Sequence, residues 1–463
     1  MIGLLLALLL AGPGHAAPQL KLTLAEAVSS ALADSPALRA AEADWAAAVS
    51  RGKSRWGVLW PRLSAEASYR FVSAVPELSV LPGRSQSLGD HHNASVGPTL
   101  DWTLWDQGAR RGAWLSAIAG ADARSQDLRA ARRQVRLRTR LAYFQAQLAV
   151  ESVRLLGDSL KLAQSQYGDV EKRREAGASS RLDSLQAHQE VLQRLRQFRQ
   201  ARSDLAACLR DLFSLTGRDP GIDLSLPLDG RMLPAPGVAG AGVPLPAARE
   251  SGLPADIEPA SAAVFLDELE ASLKELGPVE NWSLDETHPG VAALRDAARS
   301  SKLAASGARA GLWPRLGLMA RTSLEYPNGP VLEDFHQNTV GVSASMPLFE
   351  FNRTRKEAQS LDLQARAAEE RAEGARRDLS RDWQKAKDQL LGLRAQKELC
   401  VKASAEAKEA AGLTYESYKA GRVTFIEVQS SNLRELEALV QTARTDAGAL
   451  VQLAAMASLS SKE

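Results

Sequence analysis

The chain has 463 residues, 45% of them hydrophobic and 24% charged, with 57 Lys and Arg against 55 Asp and Glu. That balance gives no electrostatic case for nucleic acid, and two cysteines exclude a disulfide scaffold or a cysteine zinc site. Aromatics are only 5%, so a core must come from Ala, Leu and Val. No stretch past the N-terminus reaches the ~18 apolar residues of a spanning helix.

Residues 1–12, MIGLLLALLLAG, are apolar, and small residues follow at Gly14 and Ala16. This reads as a secretory signal peptide over 1–16, although no Lys or Arg precedes the apolar run. No Cys lies near the cleavage point, so the exported chain is expected to lack a lipid anchor.

The rest of the chain is duplicated. Leu-Trp-Pro-Arg-Leu stands at 59–63 and again at 312–316, and the same offset carries Ser35-Pro36 onto His288-Pro289. A slightly shorter offset carries Val96-Gly97 onto Val340-Gly341, Leu104-Trp105-Asp106 onto Leu348-Phe349-Glu350, and Ala176-Gly177 onto Ala420-Gly421. One longer loop in the first half accounts for the change. The repeats are 17–216 and 286–458, with a tail at 459–463. Between them, 217–285 holds nine of the 21 prolines and reads as a linker with one helical island at 261–276.

Each repeat has the same order. An Ala-rich helix comes first, at 36–59 and 289–312. Two segments of period two follow, at 63–71 and 96–105 and then at 316–326 and 340–349. In the first, Leu63, Ala65, Ala67, Tyr69 and Phe71 alternate with Ser64, Glu66, Ser68 and Arg70. Such alternation marks strands with one apolar and one polar face, each close to the ~9–11 residues that cross a bilayer at a tilt. Loops are expected at 72–95 and 327–339. Very long helices come last. The one over 106–175 would be ~105 Å long and its return over 182–216 ~52 Å. Leu137, Leu141, Phe144 and Leu148, then Leu379, Trp383, Ala386, Leu390 and Leu393, then Leu433, Leu436, Val440, Ala443, Ala447, Leu450 and Ala454, step by three and four as coiled-coil seams do.

The strand count carries a consequence. Open sheet edges are not tolerated in hydrocarbon, and four strands per chain are too few for a barrel, which begins at about eight. Other copies must close it, as a dimer, a trimer or a tetramer.

The Leu-Trp-Pro-Arg-Leu junctions, the strand pairs, and the turns Glu175-Ala176-Gly177 and Lys419-Ala420-Gly421 with Asp183 and Glu427 beyond them resemble the TolC-like outer membrane efflux protein family. The resemblance rests on the duplicated order of elements over the whole mature chain. It implies a mainly α, mixed α and β fold. Three chains would share a twelve-stranded outer-membrane barrel, four strands from each, continuous with a helical tunnel in the periplasm. It further implies an exit duct for tripartite efflux or type I secretion. Its partners would be the homotrimer's own copies, outer-membrane lipid, a periplasmic adaptor (membrane fusion) protein, and an inner-membrane RND, ABC or MFS transporter. The long Pro-rich linker departs from that pattern.

Candidate sites follow. Pro61 and Pro314 should end their helices, leaving Trp60 and Trp313 as the last helical or first extended residues, and tryptophans there suit a membrane-interface belt, as do Trp102 and Trp105. Gly177 and Gly421 fit a helix C-terminus that needs positive φ. Ser180 with Asp183, and Thr424 with Glu427, match capping boxes. By the resemblance these turns, with Leu182 and Ile426, form the periplasmic tip where the adaptor docks and the tunnel is gated. Capping and a role at the mouth can hold together for Asp183 and Glu427.

His92 and His336 are repeat-equivalent, with His91 adjacent, and read as polar loop residues; no metal or other cofactor is expected. A disulfide between Cys208 and Cys400 stays open. Nine arginines between Arg110 and Arg140 face only Asp122 and Asp127, as on a solvated helix face or a tunnel wall. No phosphate loop, His/Asp/Glu cluster or nucleophile motif points to an enzyme. The rival reading, an exported coiled-coil structural or surface protein, explains the seams and the export but not two strand pairs of membrane length in equivalent positions.

Overall fold

Where the apolar period changes from two to three-and-four, the chain passes from strand to helix. The computed structural model describes residues 20–81, 84–217, 264–275 and 282–461; the signal-peptide segment 1–16 and most of the linker 217–285 lie outside them. The first repeat gives β1 (Leu20–Leu22), α1 (Leu24–Asp34), α2 (Pro36–Gly57), β2 (Arg62–Phe71), β3 (Glu77–Leu81), β4 (Arg84–Ser87), β5 (His92–Trp105), α3 (Ala109–Glu175) and α4 (Arg181–Thr216). Next come β6 (Val264–Leu266) and α5 (Leu269–Glu275). The second repeat gives α6 (Pro289–Ala310), β7 (Arg315–Tyr326), β8 (Phe335–Ser345), α7 (Arg353–Lys419) and α8 (Phe425–Leu459).

Two compact units emerge. One holds Arg39–Ala130 and Thr287–Asp378, and its centre is an antiparallel sheet in the order β2-β5-β7-β8. The register sorts side chains by polarity. Leu63 lies opposite Leu100, Ala65 opposite Pro98 and Ala67 opposite Val96, while Arg62 lies opposite Asp101, Ser64 opposite Thr99 and Ser68 opposite Ser95. The same apolar face continues through Leu100–Ala320 and Trp102–Leu318 to Ala320–Val340 and Leu318–Val342. It is open: Leu63, Tyr69, Val340 and Val342 are 68–75% exposed. On the polar face Thr99 and Ser323 are buried, and Arg321 Nη2 donates to Ser95 Oγ at 3.0 Å. Below the sheet, α3 and α6 meet at two glycines. A Cβ on Gly112 would lie 2.7 Å from Gly307 Cα, and Ser300 Oγ donates to the Ser116 carbonyl nearby.

The other unit holds Met1–Leu38, Ala131–Glu286 and Leu379–Glu463. Its largest core joins Leu22, Leu24 and Ala27 to Tyr143, Phe144, Leu160, Val191, Phe198, Leu205, Leu212 and Leu450. A second core seats Trp383, Ala386 and Leu390 against Ala449, Leu453 and Met456, so these seams are packed. Leu433, expected at the head of the last seam, is exposed instead.

Several boundaries correct the sequence expectation. The strand expected over 340–349 is β8, which starts at Phe335 and stops at Ser345. Pro347 has no N–H to extend the ladder, and the chain then turns through positive φ at Phe351 and Asn352. The strand expected from 96 begins at His92. The loop expected over 72–95 contains the hairpin β3–β4. The helix expected over 261–276 is divided among its described residues: Val264–Leu266 pairs in parallel with Leu20–Leu22, and Leu269–Glu275 is helical. The tail expected from 459 is tied down at its start, where Ser460 bridges Leu284.

Candidate functional site

The two helix reversals are built alike. At the first, Gly177 has φ 74°, its N–H bonds the Arg174 carbonyl at 3.0 Å, and Ala178 N–H bonds the Arg173 carbonyl at 2.7 Å. At the second, Gly421 has φ 72°, with Gly421 N–H on Tyr418 O at 2.9 Å and Arg422 N–H on Ser417 O at 3.0 Å. Both are Schellman closures, in which a left-handed residue lets the chain satisfy the last helical carbonyls.

The following caps differ. Ser180 Oγ accepts from Asp183 N–H at 3.1 Å, and Ser180 N–H donates to Asp183 Oδ2 at 3.2 Å, a complete capping box. Ser179 Oγ donates to the same oxygen, so the Asp183 carboxylate is taken up by the turn. The box expected at Thr424 is not formed: its hydroxyl donates to Glu427 Oε1 at 3.1 Å and accepts nothing from the helix backbone. The first turn of that returning helix thus lacks the side-chain acceptor that Ser180 supplies to its counterpart. Leu182 and Ile426, one residue into each returning helix, are 62% and 57% exposed.

Between the two turns lies a network that sequence reasoning missed. Arg173 Nη1 donates to Lys419 O at 3.0 Å, and its guanidinium lies 5.3 Å from the Tyr418 ring. Tyr415 OH donates to Asp169 Oδ2 at 2.7 Å. Burial, and then that bond, push the Tyr415 hydroxyl well above the usual tyrosine range. Tyr418 packs on Phe425 at 5.4 Å within a cluster of Val170, Ala187 and Val428; burying a side chain such as Phe425 contributes about 1.5–3 kcal/mol. Lower on α3, Arg174 holds the Glu171 carboxyl below its usual range against the opposing effect of burial, with Ser184 helping. The Arg173–Lys419 and Tyr415–Asp169 partners come from opposite repeats, so no local motif announces them.

The helix-to-strand junctions also match one another. Trp60 N–H bonds Gly57 O at 3.2 Å and Trp313 N–H bonds Ala310 O at 3.1 Å, tight last turns that stop at Pro61 and Pro314. Both tryptophans are exposed. In the first junction Trp102 Nε1 donates to Leu59 O at 3.2 Å and Arg110 Nη1 to Val58 O at 3.2 Å, satisfying carbonyls left over at the end of α2.

The other candidates scatter. Tyr69 OH lies 2.6 Å from His92 Nδ1, His91 Nδ1 lies 2.8 Å from Val72 O, and His336 sits opposite Leu324 on β8. Among the described residues no group of three or more His, Cys, Asp or Glu is placed to hold a metal ion. Cys208 and Cys400 are both free thiols. Of the arginine run, Arg110 pairs with Asp106 at 2.8 Å, Arg124 with Asp127 at 3.1 Å and Arg133 with Asp285 at 2.7 Å.

The family described as outer membrane efflux protein matches residues 27–218 and 284–460. CyaE of Bordetella pertussis (strain Tohama I) is 30% identical over 213 residues, 44% of this chain and 42% of that protein, so the match spans less than half of its length. A crystal structure of a membrane protein from Pseudomonas aeruginosa aligns with a TM-score of 0.72 at 19% identity, covering 94% of this chain and 93% of the other. The outer membrane protein VceC of Vibrio cholerae aligns with a TM-score of 0.72 at 16% identity, covering 94% and 95%. At such identities the likeness is one of fold.

Proposed function

The chain belongs to the outer membrane efflux protein family, and from that premise we propose that it is the outer-membrane exit duct of a tripartite efflux or type I secretion system. Three copies complete a twelve-stranded barrel that continues into a periplasmic helical tunnel. The observation that carries the reading is the sheet: four strands with an exposed apolar face, a polar face, and two unpaired edges, β2 and β8. An apolar face of this extent belongs in hydrocarbon, where every strand edge must be paired. With one β2 and one β8 per chain, ring closure joins β8 of each copy to β2 of the next. The rival reading as a coiled-coil surface protein leaves this sheet without a purpose.

The turns at Gly177 and Gly421 are the tip of the duct. Leu182 and Ile426 offer apolar contacts to a periplasmic adaptor, and the Tyr415–Asp169 and Arg173–Lys419 bonds hold the tip in its closed arrangement. An inner-membrane RND, ABC or MFS transporter supplies the cargo. No catalytic step is assigned to any residue. The test is reconstitution of the purified full chain in planar bilayers: stepwise ion conductance supports the duct, and an intact, inserted protein without conductance overturns it.

A further inference from the structure

Beyond the bonds that close the tip, a buried imidazole there has an unpartnered nitrogen. His188 lies on α4, two turns past the Ser180 cap. It is 8% exposed, its ring sits 5.3 Å from that of Tyr167, and its Nε2 is buried with no hydrogen-bond partner. Its neighbours Ala187 and Tyr167 belong to the cluster that joins both helical hairpins through Tyr418, Phe425 and Val428. We infer that His188 is a proton-sensitive strut: packed while neutral, it is driven out of the cluster by protonation, which loosens the contact between the two hairpins. The inference rests on reading these turns as the tip of the duct.

The physical argument is one of missing compensation. A buried cation is tolerated only when paired. The titratable and charged groups on the surrounding helices are engaged elsewhere. On α3, Glu171 is held by Arg174 and by Ser184, and Asp169 by Tyr415 of α7. On α4, Glu190 pairs with Arg194 at 2.6 Å. From α8, Gln429 donates to Gln186 O and Asn432 to Gln166; of its acids, Glu427 is taken by Thr424, and burial raises the Glu435 carboxyl above its usual range against the opposing charge of Lys408. Burial alone lowers His188 below its ordinary value of 6.5, with no neighbouring charge contributing. The sign follows. An opened tip takes up the proton near 6.5 and the packed tip only at lower pH, so packing is at full strength above 6.5 and weakens as the pH falls below it.

The test compares hydrogen exchange, corrected for intrinsic rates, in segments 165–190 and 414–432 of the full-length protein between about pH 7.5 and about pH 5. Wild type is run beside His188→Phe, which keeps a ring against Tyr167, and His188→Gln, which keeps polarity without titrating. Protection in the wild type should fall by about tenfold for each pH unit by which burial has lowered His188, and in both variants by less than about twofold. Equal falls in all three proteins, or no fall in the wild type, overturn the inference. Conductance recorded alongside separates the two readings: a tip that loosens in acid without a change in conductance supports the strut and contradicts the gate.

Discussion

Tyr415 and Asp169 are joined at 2.7 Å across the two helical hairpins, one residue from each repeat. The bond has a half-buried phenol as donor and a carboxylate as acceptor, the stronger class of hydrogen bond, and removing such a donor costs about 1.5–3 kcal/mol. Tyr415→Phe should therefore loosen the tip without disturbing the sheet. Single-channel recordings should show higher conductance with the oligomer intact on native gels; unchanged conductance would remove this bond from the closing device.

Gly177 and Gly421 answer a second question. Nothing lies within 4 Å of a Cβ placed on either, yet φ is 74° and 72°. The cost of Gly177→Val or Gly421→Val is thus conformational, about 1–2 kcal/mol or more for a β-branched residue, and not a clash. Export should fall in complementation assays while assembly persists.

The caps give a direct contrast. Ser180→Ala removes an acceptor from the Asp183 amide and should cost about 1 kcal/mol. Thr424→Ala removes a hydroxyl that caps no amide, and should cost a few tenths. Amide exchange in the first turns of α4 and α8 reads the difference; equal effects would mean that Thr424 caps its helix in solution.

Gly97 and Gly341 form a matching pair on the sheet. A Cβ on Gly97 would stand 2.0 Å from Thr322 O, whereas Gly341 has open space. Gly97→Val should abolish heat-resistant oligomers in outer-membrane extracts and Gly341→Val should leave them. Tolerance at Gly97 would contradict the β5–β7 register.

These elements also mark how far the sequence could be read. Alternation over 63–71 is legible because one face of β2 is apolar and its partners on β5 are apolar in register. The duplicated Ala-Gly pairs locate both reversals because only glycine adopts that φ without strain. What escaped is non-local or competitive. Val264–Leu266 is a strand only because Leu20–Leu22 pairs with it from the far end of the sequence. Alternation from Val340 continues to Leu348, but Pro347 ends the ladder early. Ser180 and Thr424 carry the same pattern, yet only Ser180 accepts from the amide three residues on, a difference that the pattern does not encode. Tyr415, Asp169 and Arg173 have no spacing that links them, since the repeats meet only in three dimensions.

The central claim is that three chains share one barrel. Native mass measurement of the full-length protein, extracted from the outer membrane in mild detergent, tests it most directly. The account predicts a single species of three chains, which four strands per chain and a twelve-stranded closure require. A stable monomer, a dimer or a tetramer would contradict it.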